Sequence, residues 1–378
     1  MVPAEFVPLS VAERGHRSLF DRSPPLKAYF AIVSPRALGG VRTMISKLVK
    51  GLQREGFHVS VVPLVQANLL AKLCSDMANL KKLRGFDAVI YMGSIPWPSH
   101  IFISDDTLVA LFVHGFVRQE LINVMKLRRF KAGPLLSLSL WSISKSIGRI
   151  DLFICHSHTS CEANGIRERF ALLPQFVFPE EVELYSELKK SFEEDSGTSC
   201  ERFKVVTYAS FATSPRLLTQ PYVLTLMKEV SKRVKKEIEL VMIDPKTRER
   251  EERWENLLVR YVKYLRREDF LRLLAQSDLY IERCIDEELG LASIEAALLG
   301  TPIAKLTHPK FVNRQDYREE VIWSSSFKGL AEAIADYLNN IYHQKPLYSK
   351  KLRDFLISRR SWDHVKKPLI NSIRHGLK

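Results

Sequence analysis

The sequence predicts an α/β protein of two doubly wound halves, each built on a parallel sheet, facing one another across a cleft. Three observations predict it. Short apolar strand runs alternate with helix-period segments along the chain. A glycine loop joins the first strand to the first helix, and the alternation halts at an acidic segment before starting again. At 378 residues the chain is long for a single core, so two domains of ordinary size are expected.

Residues 26–35, LKAYFAIVSP, form an apolar strand ending at Pro35, and the loop RALGG follows. Val41, Ile45, Leu48, Val49 and Leu52 then recur at helical spacing until EGF closes the helix, and HVSVVPLV is the second strand. Strand, glycine loop, helix, strand is a βαβ unit, which implies parallel pairing. A helix over 67–84 and the strands FDAVIYMG, TLVALFVHG and DLFIC continue the series. Segment 178–202 is acidic, ends in a Ser/Gly/Thr cluster and reads as the join between halves. The second set runs FKVVTYAS, a helix over 220–236, IELVMID, a charged helical stretch over 247–260, a helix over 268–276, DLYIER, a helix over 291–299, and TPIAKL. The basic, helical C-terminal stretch is too short to fold alone and must pack on something already built. The expected units are therefore 1–190, 191–350 and a returning helix within 351–378. Ligands of open parallel sheets collect beyond the carboxyl ends of the strands, so the cleft is the expected site.

Hydrophobic residues make up 46% of the chain and charged residues 26%, which excludes general disorder. Lys and Arg outnumber Asp and Glu by 57 to 43, a net charge of +14, and this points to anionic company such as phosphorylated metabolites, nucleic acid or an anionic membrane surface. No apolar run reaches the ~18 residues that span a bilayer, and the N-terminal stretch lacks a signal-peptide core, so the cytoplasm is the expected compartment. Five scattered cysteines, Cys74, Cys155, Cys161, Cys200 and Cys284, suit reduced thiols. CHSHTSC packs enough ligands together to be weighed as a metal site, but it reads better as the end of the strand DLFIC and a capped helix start.

One stretch concentrates the chemistry: DEELGLASIEAALLGTPI, Asp286 to Ile303. Eight residues apart on one helix, Glu287 and Glu295 would point about 80° from each other. With Glu287 in a loop and Glu295 on the helix that follows, both can face one cleft.

This stretch resembles the E-x7-E segment of glycosyltransferase family 4, retaining enzymes of the GT-B fold with two Rossmann-like domains. GGVRTMISKLVKGLQREGFHVSVV is similar to the family's first loop and helix, and RRSWDHVKKPL to the start of its terminal helix, which crosses back onto the first domain. The resemblance covers residues 27–375 and implies a hexosyl transfer from a nucleotide-sugar donor. It assigns Glu295 to the ribose hydroxyls and Glu287 to the transferred sugar. It assigns Gly39 and Gly40, and Gly290 and Leu291, to helix starts that meet the donor diphosphate, where amides stabilise anions and glycine permits close approach. His114 stands where the family often has a histidine near the donor sugar, though a strand-end histidine is equally a structural residue. His158 and His308 are weaker candidates. YVKYLRREDFLRLLAQSDLY is similar to the base-binding turn and the helix after it, which places Lys263 and Tyr264 at the nucleobase.

The chain departs from the family where the second domain opens. ASFATSPRLLTQ lacks the usual arginine, leaving Arg216 and another cation such as Lys305 to hold the diphosphate. Glu288 occupies a place that is commonly glycine and adds negative charge there. The resemblance implies no metal, since helix termini and cations meet the diphosphate, and SDD at 104–106 reads as a turn.

Between Glu120 and Arg149, Lys126, Arg128, Arg129 and Lys131 are interleaved with Leu and Trp141. This suits contact with anionic lipid at the inner face of a membrane, and equally a solvated charged helix followed by a packed one. The expected acceptor is a lipid-linked or other glycan. The alternative is a non-catalytic basic protein that keeps the fold and binds nucleic acid or a phosphorylated ligand. The absence of aromatic base-stacking motifs argues against nucleic acid.

Overall fold

The computed structural model of the protein describes residues 28–35, 40–64, 80–93, 103–113, 148–194, 202–208, 218–244, 248–263 and 265–377. Elements are numbered among these. The first sheet contains β1 (Tyr29–Pro35), β2 (His58–Leu64), β3 (Ala88–Met92), β4 (Leu108–Val113), β5 (Leu152–Cys155) and β6 (Phe170–Leu172) in the order β2-β1-β3-β4-β5-β6. Every pairing is parallel. All five residues of β3 are buried, as expected of a strand covered on both faces. Helix α1 (Gly40–Arg54) packs Met44, Ile45, Leu48 and Leu52 into the core on one face of this sheet. The SDD segment is a turn, closed by the Thr107 N–H on the Ser104 carbonyl.

Helix α2 (His158–Ala163) leaves β5 through Ser157, whose Oγ accepts from the Ser160 N–H at 3.0 Å. The strand-then-capped-helix reading of CHSHTSC therefore holds. Cys155 and Cys161, expected to be reduced, form a disulfide joining the end of β5 to α2. The reason is spatial: the six-residue separation folds back on itself, and the two Cα atoms come within 5.9 Å.

The expected join over 178–202 contains a regular helix, α3 (Pro179–Glu194). Proline takes its first position, and the Glu181 carboxylate reaches back to the Phe178 N–H at 2.8 Å, half of a capping box.

The second sheet has seven strands: β7 (Arg202–Tyr208), β8 (Glu237–Ile243), β9 (Arg250–Trp254), β10 (Leu257–Val262), β11 (Leu279–Glu282), β12 (Ile303–Leu306) and β13 (Ile322–Ser324). Their order is β13-β12-β11-β7-β8-β10-β9. Helices α4 (Gln220–Ser231), α5 (Arg267–Ala275), α6 (Leu291–Leu298) and α7 (Phe327–Asn339) flank it. The strand order reverses beside β7, which lies between β8 and β11, and the loop after β11 opens there.

Within the stretch 247–260, expected to be helical, residues 250–260 instead form most of the β9–β10 hairpin. Leu257, Val259 and Tyr261 are buried at every second position, and Glu255 turns the chain with a φ of 49°. The Asn256 amide anchors the turn to the Ser231 and Val234 carbonyls at 3.0 and 2.7 Å. The Arg and Glu residues of this charged stretch meet across strands, as in the Arg260–Glu251 pair at 2.9 Å.

Helix α8 (Ile341–Arg359) buries Leu352, Phe355 and Leu356 on the second half. After it the chain crosses back. Val177 donates to the Arg360 carbonyl at 2.8 Å and accepts from the Trp362 N–H at 2.9 Å, so the two crossings lie side by side. Helix α9 (Trp362–Gly376) then packs Trp362, Val365, Leu369, Ile370 and Ile373 into the first half's core. Trp362 packs against Phe176 with the rings tilted by 50°, and a Cβ at Gly51 would sit 2.7 Å from the Trp362 ring, so only glycine fits there. Truncating so large a buried ring typically costs about 3–5 kcal/mol, which makes α9 a fixed part of the first half. Among the described residues no helix is long and apolar enough to cross a membrane.

Candidate functional site

The loop between β11 and α6 is built around two buried charges, Glu282 and Lys305, which are neighbours in the register of β11 and β12. Glu282, at the end of β11, accepts from the Cys284 N–H at 2.8 Å, the Gly290 N–H at 2.7 Å and the Ser293 hydroxyl. Burial alone would raise its carboxyl. The Lys305 ammonium and these hydrogen bonds outweigh burial and hold it below the usual range. Lys305, fully buried on β12, donates to the carbonyls of Cys284 and Glu288 at 2.5 and 2.7 Å. This corrects the expectation that Lys305 holds a diphosphate: its ammonium is fully buried and donates to two carbonyls inside the loop. Gly290 also has a different first reason. A Cβ there would stand 2.9 Å from the Glu282 carboxylate, so the close approach it permits is to this acid.

Glu287 lies in the loop and Glu295 in the second turn of α6, the arrangement expected of the pair. Both are buried. The Glu287 carboxylate reaches the first half, where one oxygen accepts from the Thr159 N–H at 2.7 Å and the other from the Thr159 hydroxyl. Its own carbonyl accepts from the Tyr317 hydroxyl at 2.6 Å. Beside it, Arg314 from the 3-10 turn Pro309–Arg314 makes two 2.9 Å bonds to Glu162 of α2. That pairing holds the Glu162 carboxyl below its ordinary range.

Glu288 does not add the negative charge expected of it. Burial pushes its carboxyl up to about 8, against the pull of Arg360 and helped by Asp286, Glu287 and Asp316, so it is largely protonated at neutral pH.

Glu295 is held by Arg267, whose guanidinium lies 2.5 Å away and also donates to the Tyr185 hydroxyl at 2.9 Å. Burial raises the Glu295 carboxyl, and Arg267 and Lys47 partly oppose it. Lys47, on α1, is buried against the Phe176 carbonyl at 2.6 Å and Glu181 at 3.0 Å, and burial lowers its ammonium pKa. Both faces of the cleft thus contribute charge around Glu295.

Gly290 caps α6, and Leu291 and Ala292, both partly exposed, open it, leaving N-terminal amides for an anion. Gly40 is the first residue of α1. Lys263 is exposed at the end of β10, away from both acids' hydrogen bonds. Gly39, His114, Arg216 and Tyr264, and the basic segment 120–147, lie outside the described residues. Among the described residues no group of three or more His, Cys, Asp or Glu is arranged to hold a metal ion.

Three contributors escape a reading of the sequence. Arg267 is marked only by RRED at a helix start, Thr159 only by a helix-capping pattern, and Arg314 by nothing local. Each acts on a residue more than 25 positions away.

No protein-family model matches the sequence, and no curated protein matches it at a significant level. Solved structures do resemble the fold. Sucrose-phosphate synthase from Thermosynechococcus elongatus superposes with a TM-score of 0.60 at 12% identity, over 92% of this chain and 98% of the other. The catalytic domain of starch synthase IV from Arabidopsis thaliana, solved with ADP and acarbose, gives 0.59 at 11% identity over 93% and 100%. Anabaena HepE, solved with UDP-glucose, gives 0.58 at 12% identity over 92% and 100%. With two Rossmann-like domains, a cleft and a returning C-terminal helix, this chain is similar to these proteins along nearly its whole length, and its fold is GT-B.

Proposed function

We propose that the protein is a glycosyltransferase that moves a sugar from a nucleotide-sugar donor, with retention, to a lipid-linked or other glycan acceptor. The observation that carries the reading is the placement of Glu287 and Glu295 on either side of a helix start, at the reversal of strand order in a GT-B fold. Glu295 reaches the ribose hydroxyls as a two-oxygen acceptor, held by Arg267. The amides that open α6 meet the diphosphate as its negative charge grows with departure of the glycosyl group. Glu287 contacts the transferred sugar and orients it for attack on the face the diphosphate leaves. Arg267, half-exposed and paired with Glu295, is a cation available to this work in place of the arginine missing from the start of the second domain. The reading calls for no metal. The structures solved with UDP-glucose and with ADP support a nucleoside diphosphate as the donor's leaving group.

The test is a thermal-shift panel of UDP, GDP, ADP and TDP sugars. A ligand that binds only the folded state at a hundred times its Kd adds about 2.7 kcal/mol of stability. One donor class should raise the melting temperature, Glu295→Gln should weaken that shift, and Glu287→Gln should abolish turnover while donor still binds. No shift with any of these sugars would favour a basic binding protein instead.

A further inference from the structure

We infer that Thr159 is the positioning residue for Glu287: the first domain's α2 holds the second domain's sugar-contacting carboxylate in place, so that the acid is correctly aimed only when the cleft is closed. The inference rests on the proposed role of Glu287 and adds to it a dependence on the opposite domain.

Among the described residues, the Glu287 carboxylate receives its hydrogen bonds from Thr159 alone, through the N–H at 2.7 Å and the hydroxyl. Glu287 is 6% exposed, so loss of these donors would leave a buried carboxylate without compensation. The donors are available for a local reason. Thr159 is the second residue of α2, and Ser157 already accepts the Ser160 N–H, which leaves the Thr159 amide as a free helix-terminal donor. Glu287 takes the part of a cap supplied from another domain, 128 positions away.

Two further contacts keep this helix in register with the loop. The Cys155–Cys161 disulfide ties α2 to the end of β5, so Thr159 cannot drift from its sheet. Arg314, from the second domain, grips Glu162 one turn along α2 with two 2.9 Å bonds and lies 3.5 Å from the Thr159 hydroxyl. Opening the cleft would break the Thr159–Glu287 and Arg314–Glu162 contacts together while the disulfide stays intact, and closing it aims Glu287.

The experiment compares wild type, Thr159→Val and Thr159→Ser by hydrogen exchange with mass spectrometry and by steady-state kinetics. In the valine variant, exchange should quicken in both 157–163 and 284–290. By the strength of a hydrogen bond to a charged group, kcat should fall about tenfold with the donor KM little changed. Serine should restore both. Faster exchange on one side only, or on neither, or an unchanged kcat in the valine variant, would overturn the inference. Should that variant fail to fold, exchange at the Thr159 amide in Glu287→Gln reads the same contact from the other side: it should quicken, and no change overturns the inference. Paired exchange in a wild-type protein that turns over no nucleotide sugar would keep the contact and remove the transferase reading.

Discussion

The loop around Glu287 and the helix around Glu295 hold their acids by opposite means. Glu287 is met by an amide and a hydroxyl from the other domain and has no cation hydrogen-bonded to it among the described residues. Glu295 is met by a guanidinium of its own domain, with the Lys47 ammonium contributing from α1. Uncharged donors orient a carboxylate without setting an opposite charge against it, so the aim of Glu287 depends on closure. An ion pair neutralises while it orients, so Glu295 is ready in the second domain and pays with some of its charge. One acid reports on the position of the domains, the other on the donor.

Both regions hang from the buried charges Glu282 and Lys305, and removing one of them should break the comparison altogether. Lys305→Met strips the Cys284 and Glu288 carbonyls of their donor and leaves Glu282 charged and buried. Breaking a buried pair from one side costs about 3–5 kcal/mol, to be read as a lowered urea midpoint. A loss below about 1 kcal/mol would place Lys305 among surface pairs in its energetics and undo the frame.

Glu288→Gln sharpens the comparison by removing a proton from the loop's balance. The groups facing Glu288 are Arg360, Asp286, Glu287, Asp316 and Tyr317, with the Lys305 ammonium on its carbonyl. Its folded pKa of about 8 lies above the unfolded value near 4.3. Between those limits the folded protein holds a proton that the unfolded chain has lost, so stability falls as pH rises through the window and levels off above it. The glutamine variant should lose that slope and be the more stable form at pH 8, by on the order of a few kcal/mol. Parallel stability–pH curves for the two proteins would show that Glu288 is not protonated in the fold.

The pattern of the sequence carried most of the architecture, because strands buried on both faces write themselves as apolar runs and helix starts as glycine or capping residues. FDAVIYMG, IELVMID and LASIEAAL are legible in this way. The β9–β10 hairpin was not, since the charged run REREERW satisfies a helical pairing rule as well as a cross-strand one, and only the neighbour β8 decides between them. In the site, Glu287 and Glu295 were legible as a motif, but the groups that hold them were not. Lys305, expected to hold the diphosphate, is instead buried in the frame, and Arg267, for which the sequence carried no expectation, is the half-exposed cation paired with Glu295. Thr159 is beyond any local reading, because its partner comes from the other domain.

Arg267→Met is the gentlest of these changes and the most discriminating. The Arg267 side chain is 51% exposed and screened by solvent, but Glu295 is buried and loses its donor, so the stability loss should be about 1–3 kcal/mol, below that of Lys305→Met. Its effect belongs to the donor. Burial already raises the Glu295 carboxyl, and without the guanidinium it rises further, so the carboxylate needed by the ribose hydroxyls is lost at a higher pH. Donor affinity measured by calorimetry across pH should therefore fall off at a higher pH in the variant than in the wild type. The Thr159 amide should exchange at the wild-type rate throughout, since Glu287 is held by other means. A pH profile that does not move would mean that Arg267 merely neighbours Glu295. A Thr159 amide that loosens along with it would mean that the two acids are held as one unit, and the contrast between them would be lost.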